Sequence, residues 1–518
     1  MKLDSKGLLQ NLGSDLPAGL VVFLVALPLC LGIALSSGAP LFSGIIAGII
    51  GGIVIGFLSG SNTSVSGPAA GLTVIVLNAI TDLGAYELFL TAVFLAGIFQ
   101  MALGFLKAGL IGYYFPTSVI KGMLAGIGII LIIKQLPYAF GVTSDLANYI
   151  PFVNDLGAVQ DLGSIWDNFL LGAIIITSIS LGILLLWERP AMRNNRFTKH
   201  IPGPLVVVLV GIGINKIFKF FIPQLYVAEQ KVRLPEITGF SNLLSQFTTL
   251  DLSGFLLPNV WIIAATIAII ASLESLLSLE AADKIDPYKR ISPPNKELIA
   301  QGVGNMLNGL VGGMPVTAVI VRSSANITAG AKTKAAAVFH GILLLASAIL
   351  IPTLLNLIPL ACLAAILLLI GYKLAKISLF KLQYQLGIDQ FLPFIVTLLG
   401  IVFTDLLLGI AMGMGVAVVF IIMRNFKNSY FYKEQPDEDP NAIHIVLSEE
   451  VSFLNKGALM NALNKIPDGK LVIIDGSNSK SIDYDVLEVI ENFKVNAEDR
   501  DIIVKTVKIP RVLLGSMH

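Results

Sequence analysis

Apolar positions in this chain fall in long unbroken runs, neither alternating nor confined to one helical face. Runs of about 18 or more apolar residues are what a bilayer-crossing helix needs. The runs at 16–35, 88–106, 169–187, 261–279, 335–355 and 391–423 meet that length, and the last is long enough for a tight pair. In all, the pattern predicts about fourteen hydrophobic segments. They lie at 15–36, 41–59, 67–80, 87–106, 115–134, 169–187, 203–220, 259–279, 297–311, 317–330, 335–351, 354–371, 391–404 and 406–424. The third and tenth are too short to cross alone. They lie seven places apart, and each follows a glycine-rich span, at 44–52 and 302–313. An odd number of spans per half inverts the second half relative to the first. The pattern thus predicts an all-α polytopic membrane protein of two inverted seven-span repeats over 1–425.

After Met423 the pattern changes. A charged linker at 426–440 precedes strand-like runs at 443–447, 471–474 and 502–507, with short amphipathic helices at 457–463 and 486–493. This alternation predicts a small cytosolic α/β domain over 441–518.

Loop charge tests the count. With the N-terminus cytoplasmic, alternate loops should be basic. The expected inner loops carry Lys107; Arg189, Arg193, Arg196 and Lys199; Lys284, Lys289, Arg290 and Lys296; Lys332 and Lys334; Lys373, Lys376 and Lys381. The expected outer segment 135–168 has no Lys or Arg, only Asp145, Asp155, Asp161 and Asp167. Lys216, Lys219, Lys231 and Arg233, in a long outer segment, are the exception. The expectation is a multi-pass protein of a bacterial-type inner membrane with both termini cytoplasmic. The first run is expected to be a span and not a cleaved signal, because it is long and lacks a cleavage site.

Only 13% of residues are charged, against about 25% in soluble domains. A net charge of +1 gives no electrostatic argument for nucleic acid. Cys30 and Cys362 sit in apolar segments and read as packing thiols. No histidine spacing indicates a metal site, no phosphate-loop lysine motif indicates ATP drive, and no catalytic set indicates an enzyme.

Two motifs carry the chemistry. One is Ser-Val-Ser-Gly-Pro-Ala-Ala-Gly at 64–71; the other is Gly-Gly-Met-Pro-Val-Thr at 312–317, followed by Arg322. Each places small residues and a proline at the start of a short apolar segment. Half-helices beginning inside a membrane point unpaired N–H groups and positive dipole ends inward, which suits an anion. The expected donors are the backbone at Gly67, Ala69 and Ala70 and at 317–321, including Val321, with the Arg322 guanidinium in reach of the anion or of Glu274. Glu274 lies deep in an apolar span, where an unpaired charge costs roughly 2.5–3.5 kcal/mol. It must pair, bind a cation or take a proton. Ser278 is one turn away, and Thr317 completes the expected ion-coupling set, with Na+ or H+ as the coupling ion.

These residues resemble the SulP family of anion transporters. The resemblance rests on Ala-Leu-Pro-Leu-Cys-Leu-Gly-Ile-Ala at 26–34, the motif at 65–71, Ser-Val-Ile-Lys-Gly-Met-Leu-Ala-Gly-Ile-Gly at 118–128, and the stretches 295–305 and 322–333. It implies fourteen spans split into core and gate, and an anion between the third and tenth helices. It also implies an elevator-like movement of the core, homodimers and a STAS-like tail. By motif position it places Ala69, Ala70, Val321 and Arg322 in the pocket and Glu274 at the acidic position of the eighth span. Where many members carry glutamine, Leu29 follows Pro28; where many carry serine, Val321 precedes Arg322. Both make the pocket less polar. In the tail, Tyr484 follows Asp483 where signalling relatives carry serine or threonine. The expected function is secondary transport of a small inorganic anion, bicarbonate or sulfate in class. An uncoupled anion channel and a nucleobase permease of the same fold are the alternatives.

Overall fold

A computed structural model describes residues 11–109, 115–142, 169–189, 192, 201–235, 247–404, 406–427, 430–433 and 442–510. Asp145, Asp155, Asp161, Asp167, Arg193, Arg196, Lys199 and the tail stretches 434–441 and 511–518 lie outside the described residues. The chain divides into two compact units, Met1–Gly413 and Met414–His518.

Among the described residues, a helix occupies each of the expected apolar segments. They are α1 (Leu12–Ser36), α2 (Leu41–Leu58), α3 (Ala70–Leu83), α4 (Tyr86–Phe105), α5 (Thr117–Phe140), α6 (Leu171–Trp187) and α7 (Gly203–Phe221). Then follow α8 (Pro258–Ile285), α9 (Pro294–Val311), α10 (Ile320–Thr328), α11 (Ala335–Leu350), α12 (Leu360–Leu374), α13 (Ile388–Phe403) and α14 (Leu406–Lys427), the last running through the boundary between the units. Among the described residues, eight helical stretches are long and apolar enough to cross a bilayer. At nine residues, α10 is only about 14 Å long.

The all-α expectation needs one correction. The third and tenth segments open as strands, β1 (Ser66–Pro68) and β2 (Val316–Ala318), which pair antiparallel in the register Ser66 with Ala318, Gly67 with Thr317 and Pro68 with Val316. The helices therefore begin at Ala70 and Ile320, three residues later than the pattern predicted. A residue before proline is pushed into extended backbone, and β-branched Val65, Val316 and Thr317 prefer it. What the local sequence lacks is the partner strand, about 250 residues away.

Packing falls into two groups. In one, α4 packs on α9 and α8, and α1 on α2 and α11; in the other, α5 packs on α12 and α13, and α6 on α7 and α12. Glycines set the closest crossings. A Cβ at Gly97 would lie 2.5 Å from the Gly302 carbonyl oxygen, and one at Gly302 would lie 2.6 Å from that of Gly97. The α5–α12 crossing repeats this at Gly128 and Gly371, with 2.6 and 2.7 Å. Backbone-to-backbone contact of this kind fixes helix pairs where apolar burial alone cannot, since lipid is as apolar as leucine.

In the second unit a sheet of order β3-β4-β6-β8 is built from β3 (Tyr430–Lys433), β4 (Ala442–Leu447), β6 (Leu471–Asp475) and β8 (Ile503–Val507), while β5 (Glu450–Val451) pairs with β7 (Ser481–Ile482). β3 lies within the stretch read as linker and runs antiparallel; β4, β6 and β8 are parallel. Helices α15 (Lys456–Asn464) and α16 (Tyr484–Ala497) cover the sheet through Leu459, Val486 and Ile490, against Ile445, Val472 and Ile474. Asp483 accepts from the Tyr484 N–H at 2.8 Å and the Phe453 N–H at 3.0 Å, so it caps α16 and ties it to the turn before α15.

Gly302→Ala drives a methyl into the α4 backbone and is expected to cost about 1–3 kcal/mol. Gly213→Ala on α7 meets nothing within 4 Å and should gain up to about 1 kcal/mol from helix propensity. Thermal unfolding in detergent should therefore fall for Gly302→Ala and hold or rise for Gly213→Ala.

Candidate functional site

The β1–β2 ladder is three residues long and buried on every residue. So short a ladder leaves backbone groups that other elements must satisfy. Asn305 on α9 accepts from the Val316 N–H at 2.7 Å and donates to the Val316 carbonyl at 3.2 Å, a side chain standing in for a third strand. Ser275 on α8 accepts from the Ala318 N–H at 3.2 Å, and Ser323 on α10 accepts from the Val65 N–H at 3.0 Å. Gln301 donates to Ser66 Oγ and to Glu297 Oε1, both at 2.7 Å, and Ser59 Oγ donates to Glu297 Oε2. Sequence reading missed this polar frame. Its signal is Glu297, Gln301, Asn305 and Asn308 at steps of four, four and three, which puts them on one face of α9.

The two helices leave the ladder at opposite ends, because Pro68 pairs with Val316 and Ser66 with Ala318. Their N-cap residues are Ala69 (φ −115°, ψ 141°) and Val319 (φ −120°, ψ 116°), and neither has a side-chain cap. First-turn N–H groups have no intrahelical acceptor, and alanine and valine offer none. The α10 start keeps its partial positive charge, while at the α3 start the Gly71 N–H donates to the Glu274 carboxylate. Pro68 stands across the ladder from Val316, next to Pro315, as a shared site requires.

Arg322 corrects one expectation. It is fully buried, so its guanidinium is not an open ligand for a solute. Nη2 donates to the Pro68 carbonyl at 3.3 Å and to Cys30 Sγ at 3.4 Å, while Nε and Nη1 have no hydrogen-bond partner. Nη1 lies against Gly67, where any Cβ would collide with it. Gly67 is thus a cradle for the guanidinium and is not itself open. The arginine charge acts from behind the strand.

Glu274 reaches the same turn from α8. A Cβ at Gly71 would lie 2.5 Å from both of its carboxylate oxygens. It makes no ion pair with Arg322, and its buried Oε2 has no hydrogen-bond partner. The two charges bracket the β1–α3 turn, Arg322 at Gly67 and Glu274 at Gly71. Ser278 lies one helical turn along α8 and is buried. Thr317 sits opposite Gly67 in β2, fully buried, with Oγ1 bonded to the Ala318 carbonyl at 3.1 Å. Ala69 is buried, Ala70 half-buried and Val321 exposed at 43%. The geometry therefore joins Gly67, Ala69, Ala70, Glu274, Thr317 and Arg322 around one turn and one ladder, with Val321 on the open side of the α10 start.

Residues 12–398 match the family model described as the sulfate permease family. The chain belongs to the sulfate permease family. It is 30% identical over 466 residues to a putative sulfate transporter of Bacillus subtilis, covering 88% of this chain and 83% of that protein. It is 29% identical over 468 residues to the bicarbonate transporter BicA of Picosynechococcus, covering 88% and 78%. The transmembrane domain of a cyanobacterial BicA superposes with a TM-score of 0.63 at 26% identity, covering 79% of this chain and 97% of that one. SLC26A9 superposes with a TM-score of 0.75 over 96% of this chain and 84% of its own; at 18% identity this likeness shows the fold alone. This member of the sulfate permease family is thus a multi-pass membrane protein built as a transporter, not as an enzyme.

Gly67→Ala should destabilise the protein and lower its unfolding temperature, because the methyl displaces Arg322. In an Arg322→Ala background the same change should be close to neutral. A double-mutant cycle then reads a coupling of about 1–3 kcal/mol. Equal losses in both backgrounds would take the guanidinium out of the cradle.

Proposed function

We propose that this protein is a secondary transporter of a small inorganic oxyanion, of the sulfate or bicarbonate class. The supporting observation is the buried ladder from which two uncapped helix starts depart, backed by Arg322 against Gly67. The anion is held by first-turn N–H groups following Ala69 and Val319, beside Ala70 and Val321, in the field of the arginine. Recognition through backbone donors suits any compact anion. The apolar Val321 and Leu29 add no side-chain donors for a tetrahedral sulfate, which favours bicarbonate.

Coupling is assigned to Glu274, with Ser278 and Thr317. An anion and a cation bound on either side of one turn lower each other's electrostatic cost, so the loaded carrier moves close to neutral. The turn belongs to the packing group of α1–α4 with α8–α11, and we assign that group to a moving core and the α5–α7, α12 and α13 group to a gate. Elevator-like exchange, inverted seven-span repeats, a STAS-like tail, cytoplasmic termini and a homodimer complete this reading.

Reconstitution of the full chain into liposomes tests it, with labelled bicarbonate and sulfate flux measured with and without Na+ and pH gradients. Uptake of one or both anions, stimulated by one gradient, is expected; no flux of either ends the proposal. Arg322→Ala should raise the half-saturation concentration about three- to tenfold, the effect of losing a nearby charge that acts through its field and not by contact. Glu274→Gln keeps the shape but removes the charge, so gradient stimulation should vanish. Full gradient dependence in that variant would relieve Glu274 of its coupling role.

A further inference from the structure

Lys216, Lys219, Lys231 and Arg233 are the basic residues that break the loop-charge pattern. They fall at the end of α7 and on the strap that follows it, at 226–235. This strap is held along its length. The Asn215 side chain donates to the Val227 carbonyl at 3.1 Å and accepts from its N–H at 3.0 Å. The Val232 N–H donates to the Ile358 carbonyl at 2.9 Å, and the Leu360 N–H to that of Gln230 at 3.0 Å. Asn356 accepts from the Leu234 N–H at 2.6 Å and donates to its carbonyl at 3.0 Å.

On that fixed strap Tyr226 gathers two ammonium groups. Lys231 Nζ donates to Tyr226 Oη at 3.2 Å and lies 5.5 Å from the ring centroid; Lys219 Nζ lies 5.8 Å from the same centroid. Ring faces attract cations, but two like charges sharing one ring repel. Glu229, the one carboxylate on the described strap, pairs with neither, and no described carboxylate lies within 4.0 Å of either ammonium. Because Lys231 uses Tyr226 Oη as its acceptor, the phenol O–H is free to donate. Two ammonium groups thus lie about one phenol with no described carboxylate to pair with them, and an anion bound there relieves the repulsion.

We propose that Lys219, Tyr226 and Lys231 form an oxyanion seat on the α7–α8 face of the first unit, apart from β1 and β2. It takes a phosphate, sulfate or carbonate group, free or on a lipid headgroup. Resting on the transport function proposed above, the seat concentrates anions on that face before they enter the carrier.

The test compares the full chain with a Lys219→Gln/Lys231→Gln variant in phosphatidylcholine liposomes, with Lys216→Gln as control. At low ionic strength the double variant should raise the half-saturation concentration about threefold or more and leave the maximal rate unchanged. The difference should shrink as salt is added. Lys216→Gln should match the wild type. If a headgroup competes for the seat, phosphatidylglycerol should bring the wild type to the double variant's value. A half-saturation concentration that the double substitution leaves unchanged in both lipid mixtures overturns the seat. Should the wild type move neither anion, the transport reading fails on its own, and thermal unfolding with added sulfate still reads the seat. A larger rise in wild type than in the double variant supports it, and equal rises overturn it.

Discussion

A backbone N–H or C=O buried away from water must be paired within the protein, and this requirement governs the centre of the first unit. Two strands of three residues cannot satisfy themselves. Their remaining groups are met by Asn305, Ser275 and Ser323, from α9, α8 and α10. The ladder therefore fixes where α8, α9 and α10 stand, and with them Glu274 and Arg322.

Glycine makes this density of packing possible. The Gly97–Gly302 crossing lets α9 approach α4 closely, while the neighbouring face of α9 presents Gln301 and Asn305 to the strands. Gly67 serves a different end, leaving room for a guanidinium against the strand. One residue type thus does two jobs: close approach of backbones, and close approach of a charge to a backbone. At Gly67 even alanine would displace the charge.

The site favours field over contact. Arg322 is shut behind β1, and the cap residues Ala69 and Val319 are apolar and offer the helix starts no acceptor of their own. Donors of this kind recognise charge and size more than shape, which accords with a family whose relatives here are named for both sulfate and bicarbonate. The Lys219–Tyr226–Lys231 cluster is built differently, from side chains on a rigid strap.

The order of the apolar segments, the two short ones among them, and the small residues around Pro68 and Pro315 were legible in the sequence, because hydrophobic run length and proline–glycine punctuation are local properties. So was the placement of Glu274 and Arg322 within apolar segments, since a charge there is conspicuous wherever it sits. Strand pairing was not legible. Whether 66–68 extends or coils depends on a partner at 316–318, and no local preference encodes that. Nor could the sequence say that Arg322 faces Gly67 and not the solute, or that Asn305 serves a strand, because burial and hydrogen-bond partnership are settled only when distant helices close on one another. Composition determined that this chain belongs in a membrane, and tertiary contact decided which of its few charges face solvent and which are sealed inside.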